Sequence, residues 1–254
     1  MKAARIDLIE AYLKEKKSFS LESICEHFNI SKSTARRDLD ELVKRGNTKK
    51  VYGGIRALEP DVPASMPLLP FEERDIVNQT EKDYICRQAA RLIMPDDIIF
   101  IDTGTTCLQL IDYLKEIPCT VITNSLRVSM KASPYENITI ISMPGRLNRK
   151  TWSFVEHDID FYMHSVNIQK AFMAATGVSI RGGLTNASED EYIVKKSVCK
   201  NSSQIYLLAD HDKFDRMALY TYSALNQITG LVTDRKPPET FVTYCNEKDI
   251  RLIF

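Results

Sequence analysis

The stretch IIFIDTGTTCLQLIDYL, residues 98–114, decides the fold of most of this chain. Its first five residues are apolar up to a final aspartate and predict a buried strand. Residues 103–106 predict a tight turn, and apolar residues then recur at helical spacing. A strand that turns through Gly and Thr into a helix aims N–H groups and hydroxyls at an anion. A plain turn is the alternative, and the stretch alone leaves both open.

Six more short apolar segments have the same strand character. They are TVITN (120–124), ITIISM (138–143), AFMAAT (171–176), QIYLLAD (204–210), GLVTD (230–234) and IRLIF (250–254). Helical patterns lie between most of them. Short apolar strands that alternate with helices indicate a mostly parallel sheet covered on both faces. We therefore predict a Rossmann-like α/β body.

Polar clusters follow several of these strands, at 102–106, 123–125, 144–146, 176–177 and 210–213. Ligands of parallel sheets bind beyond the carboxyl ends of the strands. The clusters are therefore expected to converge on one rim of the sheet and to form a ligand site there.

The first 58 residues predict a helical head. Three helical patterns fit residues 1–45, and Ser20 and Ser31 are plausible caps for the second and third. Their inward residues are Ile6, Ile9, Leu13, Leu21, Ile24, Cys25, Phe28, Ala35, Leu39, Leu42 and Val43. The second and third helices, joined by the short turn Asn29-Ile30, form a helix-turn-helix unit. After Gly46 a hairpin with Tyr52-Gly53-Gly54 at its turn is predicted, which would be a wing.

The third helix carries polar residues where a recognition helix meets the major groove. They are Lys32, Ser33, Thr34, Arg36 and Arg37. Arginine pairs bidentately with guanine, whereas lysine and hydroxyl groups hold phosphates. Lys49 and Lys50 of the predicted wing are expected near the DNA backbone.

The charge distribution agrees with that interpretation. Residues 1–58 carry 13 Lys and Arg against 8 Asp and Glu, a net of +5, and the rest carries 21 against 26, a net of −5. A solvated basic face is the alternative. The cap, the turn, the arginine pair and the hairpin occur together, however, and this favours double-stranded operator DNA as the partner.

The head resembles the helix-turn-helix of the DeoR family at every fixed position of its signature. The matching pattern is Arg5-x3-Ile9-x3-Leu13-x17-Ser31-x2-Thr34-Ala35-Arg36-Arg37-Asp38-Leu39. The body resembles the family's sensor domain through FIDTGTT, VITNSLRV, GGLTN followed by Glu191 and Lys195, and LLADHDKF. A bridge between head and body is similar at Phe71, Arg74, Asn78, Glu81 and Lys82. The resemblance covers nearly the whole chain.

The resemblance implies a body similar to ribose-5-phosphate isomerase that binds a phosphorylated sugar. It makes Gly104, Thr105 and Thr106 a phosphate loop. The other predicted effector contacts are Asp102, Asn124, Gly145, Glu191 and Lys213. The family's usual S-S-K-F-G stands here as HDKFD (211–215), which places the negative charge of Asp212 near the predicted anion.

An isomerase is the rival interpretation. Isomerisation of a sugar phosphate needs a carboxylate base at the carbon acid. The strand AFMAAT leads into Thr176-Gly177 without the acid-rich loop of the isomerase. Glu191 could align with the isomerase base, or it could belong to the acidic first turn of a helix capped by Ser188. We predict no catalytic residue and no enzyme, and the role of Glu191 stays open.

Other classes are not favoured. No apolar run approaches the roughly 20 residues of a membrane span, and the charged N-terminus is not a signal peptide. The six cysteines are scattered without a C-x-x-C pair, and His157 and His164 lie seven residues apart, so neither a disulfide nor a metal site is expected. We expect a cytoplasmic protein without a cofactor.

Three parts are predicted: a winged helix-turn-helix domain over 1–58, a proline-rich linker over 59–79 and a sugar-phosphate-sensing α/β domain over 80–254. The predicted function is transcriptional regulation, by repression of a sugar or nucleoside catabolic operon that a phosphorylated sugar relieves. Because one head offers few contacts, a homo-oligomer, either dimer or tetramer, is expected on repeated half-sites. The alternatives are a sugar-phosphate isomerase-like enzyme with a DNA-binding head, and a DNA-binding protein with a silent body.

Overall fold

The computed structural model describes residues 5–9, 12–13, 18–44, 48–51, 54–57, 69–156 and 158–254. The chain divides into two compact units, the head (residues 1–62) and the body (residues 63–254). Residues 58–68 lie outside the described part, so the predicted boundaries at 58 and 79 stay predictions.

Three helices and a three-stranded antiparallel sheet are present among the described residues of the head. The helices are α1 (5–9 and 12–13), α2 (Leu21–Phe28) and α3 (Lys32–Lys44), and the strands are β1 (Ser18–Ser20), β2 (Thr48–Val51) and β3 (Gly54–Ala57). Strand β3 pairs with both β1 and β2. The predicted wing hairpin is confirmed as β2–β3, although Tyr52, Gly53 and also Gly46 lie outside the described residues. Strand β1 was not predicted because three residues are too few to show an alternation.

The turn between α2 and α3 forms as its residue types predict. Ser20 caps α2, since its Oγ accepts a hydrogen bond from the Ser23 amide at 3.1 Å. Asn29 ends that helix in the left-handed conformation, with φ 48°. The Thr34 amide donates to Ser31 Oγ at 3.2 Å, which caps α3. The predicted apolar stripes then meet in one small core, whose buried members are Ile6, Ile9, Leu13, Ile24, Ala35, Leu39, Leu42 and Ile55.

The described part of the body, residues 69–156 and 158–254, contains twelve strands. They are β4 (Ile98–Ile101), β5 (Cys119–Thr123), β6 (Ile138–Ser142), β7 (Arg146–Asn148), β8 (Ser153–Val155), β9 (Ile168–Met173), β10 (Gly177–Ser179), β11 (Gly183–Asn186), β12 (Ser202–Leu208), β13 (Tyr220–Ser223), β14 (Gly230–Val232) and β15 (Arg251–Ile253). Seven of them form a wholly parallel sheet in the order β15-β14-β12-β9-β4-β5-β6. These seven are the predicted strands, with ends that differ by a few residues.

Two smaller sheets were not predicted. Strands β10, β11 and β13 form an antiparallel sheet, and β7 pairs with β8 as a hairpin. Each of these strands has three or four residues. Such short segments give no usable period in the sequence.

Helices cover both faces of the parallel sheet. They are α4 (Phe71–Asp75), α5 (Gln79–Ala90), α6 (Thr105–Gln109), α7 (Leu126–Ala132), α8 (Ile159–Met163), α9 (Glu189–Lys200) and α10 (Glu239–Glu247). Because strand side chains alternate, Ile99 and Ile101 pack in the core under one face and Phe100 in the core under the other. No helix of the described residues is long and apolar enough to cross a membrane.

Candidate nucleic-acid interface and effector cavity

Helix α3 presents its basic residues to solvent. Arg36 and Arg37 are exposed, and neither forms an ion pair within the described part of the head. Ser33 is exposed and bonds Ser31 through its hydroxyl, whereas Lys32 makes a 3.4 Å contact with Glu22 on the surface. Two arginines that are free at the start of a helix are available for base edges or phosphates.

The wing contributes the remaining predicted contacts. Lys49 and Lys50 lie on β2, opposite Arg56 and Ile55 of β3. Their side chains lie outside the described residues, so the role of both lysines stays a prediction.

Arg5 and Asp38, two positions of the signature, form an ion pair. Arg5 Nε donates to Asp38 Oδ2 at 2.7 Å, and Nη2 lies 3.2 Å from Oδ1. Asp38 is 1 % exposed, so this bidentate pair ties α1 to the inner side of α3. Asp38 therefore orients the helix that carries the arginines and is not itself placed to contact DNA.

A cavity with charged residues in its lining opens in the body where β4 and β9 end. It has two parts, which share Leu69, Arg74, Gly104, Ala174, Ala175 and Lys213. One part adds Thr176, Asn186, Glu191 and Lys195. The other adds Glu73, Val77, Asn78, Lys82, Thr105, Thr106, Leu208, Asp210, Asp212 and Arg216. The cavity thus lies at the predicted rim, beyond the carboxyl ends of parallel strands.

Gly104 lets the loop after β4 approach β9 closely. A Cβ atom at this position would lie 2.3 Å from the Cβ of Ala174. Thr105 and Thr106 follow as the first residues of α6 and are buried against the cavity. Within the described residues their hydroxyl groups make no hydrogen bond, so both are free to bind a ligand.

Arg74 and Lys82 add positive charge to the cavity. Arg74 Nε donates to the Leu69 carbonyl at 3.1 Å, but its Nη2 is buried and has no hydrogen-bond partner among the described residues. Lys82 Nζ donates to the Arg74 carbonyl at 2.5 Å. Burial lowers the pKa of Lys82, and the charges of Asp210 and Asp75 oppose that shift. Lys213 also faces the cavity and forms no ion pair in the described part of the body.

A buried ion pair lies at the edge of the cavity. Lys195 Nζ donates to Asp102 Oδ2 and, at 3.0 Å, to the Ala174 carbonyl. The Ala174 amide donates to the same carboxylate at 2.8 Å, and the Thr103 amide donates to Oδ1 at 2.8 Å. Burial alone would lower the pKa of Lys195, but the charges of Asp102 and Glu191 outweigh it and raise the pKa. Both Asp102 oxygens are therefore engaged by the protein.

Other predicted effector residues lie differently. Asn124 donates from Nδ2 to the Phe154 carbonyl at 3.2 Å and does not line the cavity. Gly145 also lies outside its lining, in a turn with φ +135° where a Cβ would lie 2.4 Å from the Val155 carbonyl oxygen. This close approach gives Gly145 a structural reason to be glycine. The assignment of both residues to the effector stays a prediction.

Asp212 lines the cavity, as its position beside Lys213 indicated. Asn78 Nδ2 donates to Asp212 Oδ2 at 3.0 Å, and this hydrogen bond lowers the pKa of the carboxyl. The group is therefore ionised at neutral pH and offsets part of the positive charge nearby.

The cavity lining contains residues that the sequence analysis did not predict as effector contacts. They are Arg74, Lys82, Asn186, Lys195 and Arg216. The position of Lys195 could have been predicted from the sequence, because it lies four residues after Glu191 and therefore on the same face of the helix. For Arg74 and Lys82 the sequence offered only the resemblance to the family's bridge between head and body. No local pattern indicates that α4 and α5 lie next to the ends of β4 and β9.

A winged helix-turn-helix head and an α/β body with a charged cavity define a class of protein, the transcriptional regulator with a sensor domain. Family models agree: the DeoR-like helix-turn-helix domain matches residues 5–61, and the DeoR C terminal sensor domain matches residues 77–235. The chain belongs to the DeoR family of transcriptional regulators. The predicted fold class and family are thereby confirmed.

Similar proteins match over almost their whole length. The HTH-type transcriptional regulator IolR of Bacillus subtilis (strain 168) is 39 % identical over 98 % of both chains. The HTH-type transcriptional repressor GlcR of the same organism is 30 % identical over 98 % of this chain and 95 % of its own. The glycerol-3-phosphate regulon repressor of Escherichia coli (strain K12) is 27 % identical over 94 % of each. The chain is therefore a DNA-binding transcriptional regulator and not an enzyme.

A solved structure of ribose 5-phosphate isomerase A from Methanocaldococcus jannaschii resembles part of the chain. It covers 54 % of this chain and 55 % of its own, with 20 % identity and a TM-score of 0.41.

Proposed function

We propose that this regulator represses a sugar or nucleoside catabolic operon and is released from it by a phosphorylated sugar bound in the body cavity. One observation carries the proposal: Arg74 lines the cavity, and its Nη2 group is buried without a hydrogen-bond partner in the described residues. A buried donor that lacks a partner costs about 1–3 kcal/mol, and more when it is charged. An anion in the cavity would remove that cost.

The surroundings of Arg74 suit a phosphate. Lys213 is free to pair with it, and the hydroxyls of Thr105 and Thr106 are free donors beside the Gly104 loop. Hydrogen bonds between charged groups and a phosphate are roughly twice as strong as neutral ones. The remaining lining includes polar residues such as Asn78, Thr176 and Asn186, which suit the hydroxyl groups of a sugar.

The relatives support the same interpretation. Two of them carry names that state repression, and one of these names glycerol 3-phosphate, a phosphate ester of a small polyol. The matching family model describes a sensor domain. For this chain, repression and a phosphorylated effector are inferred from these names together with the charge of the cavity.

DNA binding is proposed to involve Lys32, Ser33, Thr34, Arg36, Arg37, Lys49 and Lys50. A single recognition helix reads few base pairs, so two or more copies of the chain would bind repeated half-sites. Such a homo-oligomer would act in the cytoplasm, where operator DNA is accessible. Size determination by light scattering, with and without operator DNA, tests the oligomer.

Calorimetry on the full chain with matched ligand pairs tests the effector. The pairs are glycerol 3-phosphate with glycerol, ribose 5-phosphate with ribose, and glucose 6-phosphate with glucose. At least one ester should bind about tenfold or more tightly than its unphosphorylated partner. Arg74→Gln and Lys213→Gln should remove that preference, whereas the exposed control Lys248→Gln should keep it. Equal affinity within every pair would contradict the proposal.

A further inference from the structure

We infer that strand β6, the exposed edge of the parallel sheet, is the surface through which two copies of this chain pair. The two β6 strands would lie antiparallel about a two-fold axis and join the two sheets into one. This inference rests on the homo-oligomer of the proposed function and names the surface that forms it.

The first observation is that β6 ends the sheet with open backbone groups. It pairs only with β5 in the described part of the chain. The Met143 amide donates to β5 at 2.8 Å, and the Asn137 carbonyl accepts from β5 at 3.3 Å. Because the peptide groups of a strand alternate in direction, the odd-numbered residues face β5, whereas Ile140 and Ser142 direct their amides and carbonyls outward. Such a row of unpaired groups accepts another strand.

The second observation is that this edge lacks the usual protection. Strand β6 has five residues, ITIIS, with no charged residue, no proline and no shift of register. The opposite edge, β15, has only three residues and begins with the exposed Arg251. Edges that face solvent are commonly blocked by short length, charge, proline or a bulge. The β6 edge therefore has the character of a strand that a partner covers.

Apolar side chains flank the open edge on both faces of the sheet. Ile141 is 38 % exposed on the face opposite α7, and Met130 of α7 is 62 % exposed. The hydroxyl groups of Ser129 and Ser142 lie 2.9 Å apart and hold α7 against β6. A strand added to this edge would thus bury apolar surface as well as satisfy backbone groups.

The hydrogen-bonding pattern fits a second copy of the same strand. In the antiparallel register that pairs Ile140 with Ser142 of the second copy, the two residues exchange both backbone hydrogen bonds. The next outward pair is Ile138 with Pro144 of the second copy. The Ile138 amide already donates to the Tyr135 carbonyl at 3.1 Å, and proline has no amide to donate. No outward amide is therefore left without a partner.

The charges around β6 favour the same arrangement. Residues 137–145 carry no charge, whereas the exposed Glu136 precedes them and the exposed Arg146 follows. An antiparallel pair brings the start of one segment to the end of the other, so opposite charges meet. Ile141 faces its own copy on the two-fold axis, where two like charges would repel. Exposed charge pairs of this kind set orientation more than affinity.

The experiment measures self-association of the full-length protein by sedimentation over a series of concentrations. Wild type should form dimers or multiples of dimers. Ile141→Lys places two lysines against each other on the axis and should raise the dimer dissociation constant about tenfold or more. Phe161→Lys, at an apolar residue of α8 that is 87 % exposed, is the matched control and should associate like wild type.

Two further sets of variants test the backbone pairing and the orientation. Ser142→Pro removes an outward amide and should raise the dissociation constant about tenfold or more, whereas Ser142→Ala keeps the amide and should stay within about twofold of wild type. Glu136→Arg should weaken pairing, and the added change Arg146→Glu should restore it. Thermal unfolding checks that each variant is folded. If Ser142→Pro is unfolded, Ile141→Lys and the charge exchange still decide the matter.

The outcomes separate the edge pairing from the homo-oligomer itself. A wild type that stays monomeric at every concentration, with and without promoter DNA, overturns both. An oligomer that persists unchanged in Ile141→Lys and Glu136→Arg overturns the edge pairing alone. Hydrogen exchange of the segment 137–144 should slow as the protein concentration rises. Protection that is independent of concentration would show that a segment of the same chain covers the edge, which also overturns the pairing of two copies.

Discussion

Arg36 and Arg37 are the residues on which DNA recognition is expected to depend most. Each is exposed and unpaired within the described part of the head. Arg36→Ala or Arg37→Ala should weaken binding of a DNA fragment from the regulator's own promoter, by about 1–3 kcal/mol if the arginine reads a base. Gel shift measures the loss, and Arg91→Ala on the body serves as the control. Wild-type affinity in both head variants would contradict the assignment of α3 as the recognition helix.

Asp102 is expected to matter for stability because it neutralises Lys195 inside the body. Asp102→Ala leaves that lysine buried without its partner, which should cost about 3–5 kcal/mol of the free energy of unfolding. Urea unfolding measures this cost. Glu136→Ala, an exposed carboxylate, should stay within about 0.5 kcal/mol of wild type. A loss in Asp102→Ala no larger than that of the control would contradict the structural role.

The pH dependence of this pair follows from Lys195. The fold raises the pKa of Lys195 above its ordinary value of 10.5. Its contribution is therefore fully present below the unfolded pKa and is lost only as the pH rises through the folded pKa. Urea unfolding of the wild type should thus show an unchanged contribution of Lys195 to the unfolding free energy between pH 7 and 9.

At the level of residues, the sequence could predict groups that lie in one motif. Gly104, Thr105, Thr106 and Lys213 line the cavity, as the strand-end clusters indicated. Arg74 could not be assigned this way, because a helix from a separate part of the chain brings it there. The ion pair of Asp102 with Lys195 could not be predicted either, because it depends on where the fold places Lys195.

At the level of elements, the loop from β4 to α6 requires a close approach between the ends of β4 and β9, and a substitution at Gly104 tests this requirement. Gly104→Ala places a Cβ about 2.3 Å from Ala174, so one of the two strand ends must move. The variant should lose stability by about 1–3 kcal/mol, as overpacked sites do, and bind phosphate esters more weakly. Thermal unfolding and calorimetry measure these effects, with Gly182→Ala beside the flexible Met217 side chain as comparison. Wild-type stability with unchanged ester binding would contradict the close-approach explanation.

Helix α4 gives a second test at this scale. It has five residues, too few to be stable alone, and is held by buried Phe71 and by Glu72. Trp152 Nε1 donates to Glu72 Oε1 at 2.8 Å, and the Arg127 guanidinium lies 4.5 Å from the indole centroid. Because Trp152 is the only tryptophan, its fluorescence reports this contact directly. Glu72→Ala should shift the emission to longer wavelength and increase quenching by acrylamide.

The same variant has a consequence in the cavity. Because α4 also carries Arg74, loosening the helix should weaken the binding of phosphate esters. Glu136→Ala should change neither fluorescence nor binding. An unaltered emission spectrum in Glu72→Ala would show that the Trp152 contact does not hold α4 in place.

The elements themselves were largely predictable. Apolar runs located the seven strands of the parallel sheet, and caps such as Ser20 located the helix starts. The order of the strands was not accessible, because pairing such as that of β9 with β12 joins segments more than 30 residues apart in the chain. Strands such as β7 and β10 were not predicted, because they are too short to show an alternation in the sequence and form only through pairing in the folded chain.

For the whole molecule, the proposed function predicts that effector binding and DNA binding are thermodynamically linked. If a phosphate ester weakens operator binding by some factor, operator DNA must weaken ester binding by the same factor. This reciprocity can be checked by calorimetric titration of the ester into the protein with and without its promoter DNA. Ester affinity that is the same with and without promoter DNA would show that the two binding events are not coupled.

Promoter binding in the presence of the ester is the most direct test of the central claim. Fluorescence anisotropy of labelled promoter DNA is recorded with full-length protein, a saturating phosphate ester found by calorimetry, and its unphosphorylated counterpart. The expected result is a rise of about 5–150-fold in the apparent Kd for DNA with the ester alone. The double variant Arg74→Gln and Lys213→Gln should stay bound. Unchanged DNA affinity with the ester bound, or release of the double variant as in the wild type, would contradict a sensor that acts through this cavity.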